Sequence, residues 1–320
     1  AYRRQRQMCI RDRYSHPLPF GQANIGLRYE HVDFDYFENA TFVPGQSRVY
    51  DNIFPNISVN GQLGKVQFQV SYAAKTQRPN YSQLRNNITY ANRFTWQTGN
   101  PLLKPSVTHD ITAVGVWRFF QAMVSYKVVR DYILYWGTQV ENQSATTLIN
   151  YINHDRLPSL TVMLAASPTI GIWNLNASAI VMKQWFSLDA AGQRRTYNNP
   201  LFVGSLNNTF TLPAGFLLSA DFNYQSRGQV QNITLKRPQY TLNIGLRKSL
   251  FNDALSIEAR ANDLLLGCKQ EALLYMESAQ MKDLSWSDTR SFSLTVRYKF
   301  NAAKSKYKGT GAGQDTINRM

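Results

Sequence analysis

The chain has 320 residues, enough for one large domain or two ordinary ones. Charged residues make up 17% and aromatic residues 13%, with a mean hydropathy of −0.36. Disordered chains are poor in aromatics, and cytosolic enzymes carry about a quarter of charged residues, so the composition excludes the first and disfavours the second. No stretch approaches the roughly 18 uninterrupted apolar residues of a membrane-spanning helix, which excludes a helical membrane protein.

The net charge of +15 invites a nucleic-acid reading, but its distribution argues against one. Arg3, Arg4, Arg6, Arg11 and Arg13 face only Asp12 at the start, and Lys304, Lys306, Lys308 and Arg319 face only Asp315 in the tail. Between them the excess is thin and forms no basic run, so no nucleic-acid partner is expected. Cys9 and Cys268 stand far apart, with neither a disulfide framework nor metal-type spacing. No cleavable signal is visible, because the basic start lacks an apolar core of about 7–15 residues.

Residues 1–13 read as foreign. Met8-Cys9-Ile10-Arg11-Asp12-Arg13 matches one reading frame of a transposase adaptor end used to prepare sequencing libraries, so the strand pattern is expected to begin after it. From there the chain divides into a β-rich body over 14–300 and a polar, basic tail over 301–320.

From about residue 22 to Phe300 the dominant period is two, which places alternate side chains on opposite faces of a strand. Segments begin near Asn24 and Ile53. Val66, Phe68, Val70 and Tyr72 then interleave with Gln67, Gln69 and Ser71. Further segments begin near Thr108, Phe120, Thr147, Ile172 and Tyr197. Phe216, Leu218, Ala220, Phe222 and Tyr224 oppose Ser219, Asp221, Asn223 and Gln225; Tyr240 to Leu246 and Leu255 to Ala261 repeat the pattern. Phe292, Leu294, Val296, Tyr298 and Phe300 close it, for about twelve strands in all.

Alternation alone would also suit a soluble sandwich. Link lengths separate the two. Those near 61–65, 118–120, 167–172, 212–215 and 250–253 are tight, whereas 37–52, 77–107, 135–146, 186–196, 226–232 and 262–288 are mostly long. This strict alternation is the asymmetry of an antiparallel transmembrane β-barrel of the bacterial outer membrane, which has short periplasmic turns and longer outer loops. Trp117, Phe119, Phe120, Trp173, Phe216 and Phe251 lie beside the short turns, and Tyr132, Tyr135, Trp136, Trp185, Phe186 and Tyr224 at the opposite ends. Two aromatic bands suit the two headgroup levels.

Several stretches resemble the C-terminal barrel of TonB-dependent outer-membrane receptors, in the form common among Bacteroidetes. They are Arg78-Pro79-Asn80-Tyr81-Ser82-Gln83-Leu84, Gly99-Asn100-Pro101-Leu102-Leu103-Lys104-Pro105, Asn262-Asp263-Leu264-Leu265 (with Leu265 where the family has Phe), and the end from Ser291 to Gly311. The resemblance covers roughly residues 22–320. It implies a barrel of 22 strands, an N-terminal plug and a short box that engages TonB. Nothing before residue 22 can be a plug, so this chain is expected to be a C-terminal portion, and the TonB energising complex would engage a region absent from it. The implied function is active import of a small nutrient whose identity the sequence leaves open. Alternatives are a passive channel closed from these strands and a surface structural or adhesive protein anchored by the barrel.

No constellation for catalysis emerges, and the chain is not expected to be an enzyme or to hold a metal or cofactor. His16, His31, His109 and His154 show no ligand spacing; His154-Asp155 lacks the serine elbow of a triad. Gly309-Thr310-Gly311-Ala312-Gly313 follows the last strand and opens no apolar helix, so it fails as a phosphate loop. Arg28, Glu30, Lys127, Asp221, Arg247, Glu258, Arg260, Arg297 and Lys299 occupy polar faces and would line a lumen, pairing with one another or tuning selectivity. Tyr81, Tyr90, Phe94 and Trp96 in the long 77–107 link either meet a ligand or pack together. No substrate-binding residue is nominated.

Overall fold

The computed structural model describes residues 2–38, 41–140, 143–277 and 280–300. Thirteen strands follow one another as an antiparallel meander. They are β1 (Tyr2–Leu18), β2 (Gly21–Glu38), β3 (Arg48–Leu63), β4 (Val66–Gln77), β5 (Ser106–Trp117), β6 (Phe120–Val140) and β7 (Gln143–Ala166). After them come β8 (Trp173–Gln184), β9 (Leu201–Leu212), β10 (Phe216–Gln225), β11 (Gln239–Leu250), β12 (Leu255–Asn262) and β13 (Ser291–Tyr298). Each pairs with its neighbours in sequence. The twelve from β2 onward match the alternation of the sequence. β2, expected to be first and available for closure, is instead flanked on both sides, by β1 and β3.

β1 corrects the expectation that the pattern starts after residue 13. Tyr2 to Leu18 runs as one ladder against β2, from Tyr2↔Phe37 to Leu18↔Gly21. The segment lacks clean alternation, but an outer strand needs only main-chain donors and acceptors to pair. Among the described residues no pairing joins β1 to β13, so the sheet has two free edges.

Because every pair among these thirteen strands is antiparallel and sequential, six short links fall on one rim: 19–20, 64–65, 118–119, 167–172, 213–215 and 251–254. Gly64, at φ +60, supplies the left-handed residue that the two-residue turn between β3 and β4 requires. The opposite rim carries 78–105, 185–200, 226–238 and 263–290, as link lengths led one to expect. One exception is the 135–146 link. There β6 and β7 continue pairing through Tyr132↔His154 and Trp136↔Asn150 to Val140↔Gln143, a hairpin rising above the rest of the sheet.

The two faces differ in chemistry. One bears Ile25, Leu27, Ile57, Val70, Ile111, Val124, Leu164, Val181, Leu206, Ile244 and Leu294, each at least 38% exposed. A water-soluble sheet would cover such a face; a barrel turns it to lipid. At the short-turn rim Trp117 stacks on Phe120 at 6.0 Å, Trp173 on Phe210 at 6.2 Å, and Phe251 is exposed, which forms the expected lower aromatic band. The upper band is thinner than expected. Trp136 and Phe186 are buried among the long-rim loops, because β6 and β7 overshoot the apolar belt, whereas Trp185 is exposed beneath Lys183.

Candidate functional site: the polar face and its loop-covered end

On the polar face, some charges pair across and along strands. Asp221 lies 3.7 Å from Arg260, which lies 3.9 Å from Glu258. Glu258 sits opposite Arg247, and Lys127 opposite Asp110, whose carboxylate accepts hydrogen bonds from Thr112 and Ser125 at 2.8 Å. Arg297 stands opposite Ser256 on the last strand pair, and the Lys299 backbone donates to Ala254. Of the lumen-lining residues named from sequence, Asp221, Glu258 and Arg260 thus form one local network and Arg28 and Glu30 belong to another.

Glu30 differs from the others. It is 1% exposed, and Arg28 approaches from its own strand at 3.4 Å while Arg78 reaches it from the start of the 78–105 link. Arg28 also lies over the Phe54 ring at 4.7 Å. A buried carboxylate is expensive unless paired, so these guanidinium groups set the local geometry. Below them a concavity of about 620 Å³ carries Arg11, Arg13, Arg28 and Lys75 against Asp12, giving this part of the polar face a cationic wall.

The 78–105 link is folded, not loose. The Asn80 side chain accepts from the Ser82 hydroxyl at 2.7 Å and the Gln83 backbone at 2.9 Å, closing a turn after Pro79. The Asn100 backbone donates to the Gln83 carbonyl at 2.6 Å. A Cβ on Gly99 would collide with the carbonyl oxygens of Gln83 and Arg85, which is why this approach requires glycine. The two family-like segments, 78–84 and 99–105, are thus brought together, a contact the sequence did not announce. Asn100 Nδ2 donates to the Tyr151 carbonyl at 2.9 Å, and Asn153 exchanges hydrogen bonds with the Lys104 backbone at 2.8 and 3.0 Å, tying the link to the tall hairpin. Leu84 and Leu103 are buried over Val32, around a cavity of about 300 Å³. Of the aromatics in this link, Tyr90 and Trp96 pack edge to face at 5.2 Å, and Tyr81, Tyr90 and Phe94 are exposed.

The other long links form a second core above the sheet. Leu134, Trp136 and Leu157 pack with Phe186, Leu188, Ala190 and Tyr197 of the hairpin Phe186–Ala190 and Gln193–Tyr197. Ile149 packs with Leu274 and Met276, and the buried Asn232 donates to the Tyr135 carbonyl at 3.2 Å. The Asn262-Asp263 segment closes the base of 263–290. There the nearly buried Asp263 carboxylate accepts from Thr289 and the Gly267 backbone, and Arg290 donates to the Leu264 carbonyl at 2.8 Å. Burial pushes the Tyr197 phenol up to about 12.

Burial also holds His154 below the usual histidine range, where its ring meets Phe186 edge-on at 4.6 Å. A lowered folded-state value means that the unfolded chain binds the proton more readily. The stability contributed by neutral His154 is therefore present above about pH 6.5 and lost as pH falls through the folded value. Proteolysis within the 186–197 hairpin should accelerate between pH 7.5 and 5.5, and His154→Phe should remove that pH dependence.

The other histidines are dispersed: His16 by Tyr14, His31 by Asp51 and Asp33, and His109 by Tyr72. Among the described residues no group of three or more His, Cys, Asp or Glu could hold a metal ion. The tail, with Gly309 to Gly313, lies outside the described residues. A concavity of about 870 Å³ is on the apolar face, where Gly115, Ala122, Ala179 and Gly204 lie between Trp117, Phe120, Phe202 and Leu206. It belongs to the lipid-facing surface.

A family model described as an outer membrane protein beta-barrel family matches residues 14–298. No curated protein sequence matches. Solved structures share the fold at low identity. The FrpB iron transporter from Neisseria meningitidis is 14% identical with a TM-score of 0.58, covering 92% of this chain and 44% of its own. The copper transporter OprC is 12% identical with a TM-score of 0.62, covering 92% of this chain and 48% of its own. The ferric-catecholate import receptor Fiu from Escherichia coli K12 is 12% identical with a TM-score of 0.58, covering 93% of this chain and 45% of its own. The chain thus spans less than half the length of these structures.

Proposed function

Because the chain belongs to the outer membrane protein beta-barrel family and so resides in the bacterial outer membrane, we propose that it is the C-terminal part of the barrel of a TonB-dependent receptor importing a scarce nutrient. The receptor would be of the type common among Bacteroidetes. The observation that carries this reading is the packed cap on the long-loop rim. Links 78–105, 185–200, 226–238 and 263–290 are knit by buried side chains and hydrogen bonds above a polar, charged wall. A passive pore works best with an open mouth, whereas a receptor needs shaped loops that hold a ligand until energy is supplied. The similar solved structures are iron, copper and ferric-catecholate proteins, which supports transport without choosing a ligand.

The free edge of β13 supports membership of a larger barrel, since unpaired main-chain groups in hydrocarbon cost several kcal/mol each. Residues 1–13 are proposed to be non-native in the same reading; the family match begins at residue 14.

The test is deletion of the TonB partner in the native host. Accumulation of the nutrient should be abolished while surface binding persists. Undiminished uptake would replace the receptor with a passive channel.

A further inference from the structure

We propose that the cavity beneath the 78–105 link binds a small carboxylate with a flat apolar body. At about 300 Å³ it reaches the lower end of the volumes used for small ligands, roughly 300–1,000 Å³. Its floor is Val32 and Tyr50 from the sheet, and its roof is Pro79, Pro101 and Leu103 from the link. Proline and tyrosine rings present flat carbon faces, and a planar body fills the space between such walls better than a branched one.

Two cations line the same cavity, Arg48 and Arg78. Arg78 shares the Glu30 carboxylate with Arg28. Arg48 has no ion pair among the described residues, so one guanidinium remains for a ligand, and its planar fork matches a carboxylate. An anion therefore reduces the positive charge at the cavity, whereas a cation would add to it and a neutral solute would leave it uncompensated. The roof is already fixed by Asn100 on Tyr151 and Asn153 on Lys104, so little chain ordering is needed on binding. This inference goes beyond import. It requires the barrel and its cap, and is tested by binding rather than uptake.

The probe is para-fluorobenzoate, followed by fluorine NMR with the full-length protein in detergent; para-fluorobenzyl alcohol serves as the neutral control for micelle partitioning. The expected result is saturable broadening of the acid, competed by unlabelled benzoate, with no saturable effect on the alcohol. Arg48→Gln should weaken binding by about tenfold or more, the worth of a charge-assisted hydrogen bond. Leu103→Trp should fill the cavity and abolish binding while heat-modifiable gel migration reports an intact barrel. Should that variant not fold, Tyr50→Ala replaces it, with weakened binding expected. Absence of saturable binding, equal affinity for the alcohol, or full binding by Arg48→Gln would overturn the proposal. Binding without TonB-dependent uptake would leave this site standing and remove the import reading; the reverse outcome would do the opposite.

Discussion

Glu30→Ala should free the 78–105 link from the barrel wall. The substitution leaves Arg28 and Arg78 facing each other without their shared carboxylate, and breaking a buried pair in this way costs about 3–5 kcal/mol. Both guanidinium groups keep about a quarter of their exposure (26% and 27%), so solvent screening places the effect at the low end of that range. Even there, about 3 kcal/mol shifts a local opening equilibrium by roughly a hundredfold. Trypsin cleavage at Arg85 and Arg93 tracks that equilibrium when closing outpaces cleavage, and should accelerate to match. Arg78→Met in the Glu30→Ala background removes one of the orphaned charges and should recover part of the protection. Unchanged cleavage in Glu30→Ala would show that the link is held by its hydrogen bonds to the tall hairpin alone.

Leu206→Arg should destabilise the barrel far more than the adjacent Asn207→Arg. Leu206 lies midway along β9 on the apolar face, between Ala177 and Phe222, and is 46% exposed. An arginine at the bilayer midplane of a barrel's outer face costs about 2–4 kcal/mol. Asn207 points to the polar face opposite Asp221, where a guanidinium gains a partner and the change should stay within about 0.5 kcal/mol. The measurement is the urea midpoint of heat-modifiable migration for the full-length protein in lipid vesicles. Equal midpoints for the two variants would contradict the assignment of faces, because a one-residue step is all that separates lipid from lumen.

Much of the architecture was local enough to read along the chain. Period-two alternation marked β2 to β13, since each strand's faces are set by its own residues; short links at 64–65, 118–119 and 251–254 fixed the rim to which each strand returns. The polar-face charges were legible for the same reason, and the structure finds Asp221, Glu258 and Arg260 together as their parity implied. Tertiary structure alone decided what depended on partners distant in sequence. β1 forms because β2 offers it a free edge, although its own pattern is poor. Trp136 and Phe186 leave the aromatic band because the hairpin of β6 and β7 overshoots the apolar belt and needs a core of its own. Segments 78–84 and 99–105 looked like separate loop punctuation. They meet because the Asn100 backbone hydrogen-bonds to Gln83 and Gly99 lacks a Cβ. Alternation placed Glu30 on the polar face but could not show it sealed from water, because burial there is supplied by Arg78 and the link that follows, nearly fifty residues away.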